Sequence, residues 1–76
     1  ASRTERNALV EAYSILGVDA SVGDAAVRKA YHEKAKRYHP DTLRAQGLPD
    51  EMVSKATDMM AKVNAAWEAI KEARHL

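Results

Sequence analysis

Two side chains, the imidazole of His39 and the carboxylate of Asp41, stand two positions apart with the rigid Pro40 between them. An acid/base couple is one use for such a pair, but no nucleophile with an orienting partner accompanies it, and 76 residues leave little room for a substrate pocket. A metal site is a second use. His32, His39 and His75 lie seven and 36 positions apart, with no i, i+4 pair, and the chain has no cysteine, so a structural zinc site is rejected. No catalytic residue, cofactor or metal is therefore expected. Recognition is the third use: an imidazole that donates or accepts, and a carboxylate suited to an arginine partner, on a bend stiffened by proline.

The bend follows from the chain around it. Pro40 lacks an N–H and drives the residue before it toward extended conformations, so a helix running through Tyr38 must stop near His39. Upstream, Val22, Ala26, Val27, Ala30, Tyr31, Ala35 and Tyr38 make one apolar stripe, which predicts a helix starting near Val22, with Ser21-x-x-Asp24 as its capping sequence. Before it, Leu9, Val10, Tyr13 and Leu16 have helical spacing and Gly17 is placed to end a short first helix running from about Asn7. Residues 42–48 read as a short loop punctuated by Gly47 and Pro49. A long helix from about Pro49 to Ala73 follows, with Met52, Val53, Ala56, Met59, Met60, Val63, Ala66, Trp67 and Ile70 on its buried face. Two longer helices joined by about ten residues must pack antiparallel to cover both stripes. The expected fold is all-α: a helical hairpin closed by the short N-terminal helix, with residues 1–7 as a polar lead-in, 8–73 as the domain and 74–76 frayed.

Net charge is only +1, but its distribution is uneven. Between Ser21 and Tyr38 stand five bases, Arg28, Lys29, Lys34, Lys36 and Arg37, against two acids, so the positive field is concentrated on the segment leading into His39. The bland account of Arg28, Lys29, Lys36 and Arg37 is a solvated helix face; the functional one is a steering surface. An alternative function is a small nucleic-acid-binding module using this helix in a groove. The near-neutral whole, and a connection too long for a helix-turn-helix, argue against it. Tyr13, Tyr31, Tyr38, Met60 and Trp67 fall on apolar stripes and are read as core. No apolar run approaches the ~20 residues of a membrane span, so this segment is expected to make no membrane contact.

Tyr13-Ser14-Ile15-Leu16-Gly17-Val18, Ala30-Tyr31, Tyr38-His39-Pro40-Asp41 and the segment from Val63 to Ile70 together resemble a DnaJ-type J domain over residues 8 to 72. The stretch from Asp41 to Pro49 is similar in particular to the DjlA-type J domain, which sits at the C-terminus of a membrane-anchored bacterial protein. The resemblance implies a J-domain hairpin with the fourth helix short or absent. It also implies a co-chaperone that binds a DnaK-type heat-shock ATPase and stimulates its ATP hydrolysis, without being an enzyme itself. By resemblance His39, Pro40 and Asp41 engage that partner, with Arg28, Lys29, Lys36 and Arg37 as the basic surface beside them. It implies further a monomeric isolated domain on the cytoplasmic side, its parent anchored in the bacterial inner membrane. His32, Glu33 and Thr42 stand where the family often carries bases, which shifts the charge toward Lys36 and Arg37. Lys34 replaces a buried leucine, and its alkyl stem is expected to cover the core.

Overall fold

The computed structural model describes residues 3–76, with side chains from residue 7 onward. Four helices follow one another: α1 (Arg3–Leu16), α2 (Asp24–Arg37), α3 (Pro40–Ala45) and α4 (Asp50–Arg74). No strand occurs among the described residues, so the all-α expectation holds. Opposed pairs fix the hairpin's direction. Asp24 at the start of α2 meets Arg74 at the end of α4 through an ion pair of 2.6 Å. Further along, the Tyr31 hydroxyl donates to Asn64 at 2.9 Å and its ring stacks on Trp67 with centroids 5.1 Å apart. α2 and α4 are therefore antiparallel. α1 packs along α4 more extensively than α2 does.

The core is Ala12, Leu16, Val27, Val63, Ala66, Trp67 and Ile70, with Leu9, Tyr13, Ala30, Tyr31, Tyr38 and Met60 half-buried around it. Periodicity placed most of these correctly. Four apolar positions break the pattern: Val10, Ala26, Met52 and Met59 are exposed. For Met52 and Met59 the reason is length. The α4 residues that share grooves with α1 begin at Lys62, so the first half of α4 extends past the helix that would have covered them. At 100° per residue Val10 stands about 120° round α1 from the buried Leu16, and Ala26 about 100° round α2 from the buried Val27.

Helix boundaries differ from the expected ones in instructive ways. α1 starts at Arg3 and is 14 residues long, as long as α2. The polar residues before Asn7 carry no apolar period, so the spacing could not show that the helix runs through them. Ala1 and Ser2, part of the polar lead-in, lie outside the described residues. Ser21 does not cap α2. Its N–H is taken by the Asp19 carboxylate at 2.9 Å, a local turn that delays the helix to Asp24, with Gly23 at the cap position. Pro49 likewise caps α4 with extended backbone instead of opening it. Gly17, at φ +76, ends α1 as expected: the Gly17 and Val18 N–H groups return to the Ser14 and Tyr13 carbonyls, an arrangement that needs the left-handed region glycine enters freely.

Arg74 corrects the expectation of a fraying terminus. Its Nε donates to the Tyr13 hydroxyl at 2.8 Å, and its Nη2 donates to the backbone carbonyls of Val22 and Ala20 at 2.9 and 3.2 Å. Its Nη1 donates to Asp24, and these bonds to Asp24 and Tyr13 raise the guanidinium pKa above its ordinary value. One side chain thus ties the end of α4 to α1, to the α1–α2 loop and to the first residue of α2.

Candidate functional site

The segment read as a loop after Asp41 contains α3, and this helix builds the site. Pro40 holds His39 extended, at φ −67 and ψ 127, which is the backbone a helix cap requires. Pro40 then takes the first helical position, where a missing N–H costs nothing. The His39 side chain closes the cap: Nδ1 accepts the Asp41 N–H at 3.2 Å. At the other end the Gly47 and Leu48 N–H groups return to the Arg44 and Leu43 carbonyls, with Gly47 at φ +79. Leu43 is buried where α3 packs on α4 and holds the short helix to the body of the domain.

This geometry leaves the polar groups of the bend outward. The Asp41 side chain is 81% exposed. One of its oxygens lies 3.7 Å from the Arg44 guanidinium, one turn on, and the other lies 4.0 Å from His39 Nδ1. At such exposure these contacts orient the carboxylate and contribute little to stability. His39, Asp41 and Thr42 line a shallow open depression with Ala35 and Lys36 of α2.

Of the basic residues, Lys36 is therefore brought beside the bend. Lys29 shares its helix face, about two turns and ~10 Å back, because seven residues return to nearly the same angle. Arg28 lies on the edge of that face nearer Tyr31. Arg37 stands apart: it lines the opposite flank of α2 with Leu16, Gly17 and Val18. All four are exposed, and none has an ion-pair partner among the described residues. Lys34 is half-buried with its chain over Gly17, as its alkyl stem predicts. Among the described residues no group of three or more acidic, His or Cys side chains could hold a metal, and no helix is long and apolar enough to cross a membrane.

Arg44 and Leu43 were missed as parts of this site. The signal for both was present: a capping residue, then proline, then an acid at the positive end of a helix, with a glycine six residues after the acid, marks a short helix. Within such a helix Arg44 falls at i+3 from Asp41, and Leu43 becomes the inward residue.

The model of the DnaJ domain family matches residues 11–75. The chain is 40% identical over 72 residues to the co-chaperone protein DjlA of Vibrio vulnificus, covering 95% of this chain and 24% of that protein. It is 34% identical over 76 residues to the co-chaperone protein DjlA of Coxiella burnetii, covering all of this chain and 28% of that one. With the co-chaperone protein DjlA of Legionella pneumophila the identity is 40% over 68 residues, 90% of this chain and 23% of the relative. The chain thus spans about a quarter of the length of the curated relatives it matches. No solved structure matches it.

Proposed function

The chain belongs to the DnaJ domain family, and from that membership we propose that it is a co-chaperone module that binds a DnaK-type heat-shock chaperone and stimulates its ATP hydrolysis. Client polypeptides are thereby captured, and the chemistry is the partner's. The observation that carries this reading is the bend itself: a carboxylate held at the start of α3 by backbone and cap, facing solvent, beside a lysine of α2. Asp41 makes one directional, charge-assisted contact with a partner arginine, and His39 and Pro40 fix its position. Arg28, Lys29 and Lys36 steer an acidic surface toward the bend, with Arg37 adding charge on the far flank. Stimulation requires that the module bind the hydrolysis-competent state of the chaperone more tightly than the resting state. The parent protein is proposed to be a DjlA-type co-chaperone anchored in the bacterial inner membrane, with this module on the cytoplasmic side and monomeric when isolated.

Single-turnover hydrolysis by a DnaK-type chaperone, with and without the module, tests the proposal. The wild type is expected to accelerate the turnover and a folded His39→Gln variant to fail. Undiminished acceleration by that variant would remove the bend from the mechanism.

A further inference from the structure

The Asp41 carboxylate is not offered to a partner unaccompanied. Arg44 stands at i+3, on the same side of α3 one turn on, and its Nη1 lies 3.7 Å from Asp41 Oδ1. That separation exceeds the roughly 2.7–2.9 Å of a charge-assisted hydrogen bond, so the guanidinium acts on the carboxylate through its field and can be displaced. Its position is nevertheless set by the fold. Leu43 is buried where α3 packs on α4, and the Arg44 carbonyl accepts the Gly47 N–H at 2.9 Å, so the backbone that carries the Arg44 side chain is held on both sides. Lys36 lines the depression from α2 but forms no ion pair with Asp41. Of the module's cations beside the bend, Arg44 is the arginine already in contact with the carboxylate.

From this geometry we infer that Arg44 is an internal competitor for Asp41: it attends the carboxylate in the free module and must yield to an incoming guanidinium, so it sets how strongly a partner has to bind. The partner's identity rests on the co-chaperone reading; the competition rests on Asp41 and Arg44 alone. Like charges force the exchange. A guanidinium that pairs with both Asp41 oxygens takes Oδ1, the atom facing Arg44, and so brings two cations to one oxygen. One of them has to withdraw. Arg44 is 63% exposed and can swing into water, where the module forfeits only its exposed i, i+3 pair. Loss of such a pair weakens docking by about 1.5- to fivefold. Arg44 is thus a specificity-determining residue: it disfavours a lone point charge and leaves the advantage to a planar guanidinium that gains both oxygens.

A small guanidinium reads the competition without any partner. Methylguanidinium chloride is titrated into the module at neutral pH and below denaturing concentrations, with sodium chloride keeping the ionic strength constant, and the carboxyl carbon-13 resonance of Asp41 is followed. Arg44→Gln removes the charge and keeps a good helix former, and its midpoint is expected at about 1.5- to fivefold lower concentration than in the wild type. Arg44→Lys keeps a cation at the same place and should titrate nearer the wild type than Arg44→Gln does. A midpoint in Arg44→Gln equal to or above the wild-type one overturns the inference. With a DnaK-type chaperone, the module concentration giving half-maximal stimulation should fall by the same factor in Arg44→Gln, while the plateau follows the wild type. A lowered plateau would mark Arg44 as merely structural, and a half-maximal concentration that stays or rises would remove it as a determinant of docking; either result overturns the inference. If methylguanidinium behaves as expected and neither form stimulates the chaperone, the co-chaperone reading fails and the competition for Asp41 stands.

Discussion

At the scale of single residues the site turns on how little Asp41 contributes to the fold. Its side chain is almost fully in solvent and its ion pair with Arg44 is an exposed i, i+3 contact, so Asp41→Asn should leave the melting temperature within a degree or two of wild type. The same change removes the charge an arginine partner requires, so stimulation of a DnaK-type chaperone should be abolished. A variant that unfolds would show that Asp41 is structural. Asp19 illustrates the opposite relation, a carboxylate used locally. Accepting from Ser21 holds its pKa below the ordinary carboxylate value. A depressed folded-state value stabilises fully above the unfolded pKa, and the contribution is lost as pH falls through the folded one. Asp19→Asn should accordingly melt slightly below wild type at neutral pH and converge with it in acid; a constant gap down through the carboxylate range would contradict this. The sequence already offered Asp41 as a carboxylate for an arginine partner; its place in the first turn of α3, and the turn of Asp19 back onto Ser21, were not legible, because each depends on a backbone group that only the local turn defines.

At the scale of elements, α1, α2 and α4 were legible because each carries an apolar period long enough to read. α3 was not, since six residues hold one inward position, Leu43, and one residue has no period. What marks α3 is chemistry at its ends: His39, Pro40 and Asp41 at the start and Gly47 at the finish. Its dependence on Leu43 makes a sharp test. Leu43→Ala should cost ~2–3 kcal/mol and the loss should be local, with hydrogen-exchange protection falling in residues 40–48 before it falls in α4. Uniform loss of protection would mean that α3 is cooperative with the whole domain. Arg74 carries the corresponding weight at the far end. Its side chain is only 17% exposed and its contacts reach Tyr13, Asp24 and the carbonyls of Ala20 and Val22. Because Asp24 is half exposed, the ion pair is the lesser part; the bonds to the hydroxyl and the carbonyls are the greater. Arg74→Ala is expected to cost ~2–3 kcal/mol, measured by urea denaturation, with the start of α2 loosened. An unchanged midpoint would return residue 74 to the frayed terminus that its position in the sequence suggests.

At the scale of the whole molecule, a domain this small has one core, and the antiparallel pairing of α2 with α4 places the proposed partner surface at one end and the Arg74 tie at the other. Periodicity located that core through Leu16, Val27, Val63, Trp67 and Ile70, but it could not say where one helix outruns its neighbour. Met52 and Met59 lie on the apolar face of α4 and still meet solvent, Met52 with 52% of its surface, since α1 does not reach them. Relative helix position is a property of tertiary packing and is absent from any single period. Trp67 sits where the opposite holds, under all the neighbours its stripe calls for. It is 9% exposed, stacks on Tyr31 at an interplanar angle of 13°, and has the Lys71 ammonium 5.7 Å above its ring. Trp67→Ala removes this contact area from the joint between α2 and α4 and should cost ~3–5 kcal/mol. Net stabilities are of the order of 5–15 kcal/mol, with small domains at the low end, so thermal denaturation should find the variant largely unfolded near body temperature. Met59→Ala, made in the same helix but at an exposed position, should melt close to wild type. Were the two substitutions equally costly, burial along α4 would not follow the register described for its contacts with α1 and α2.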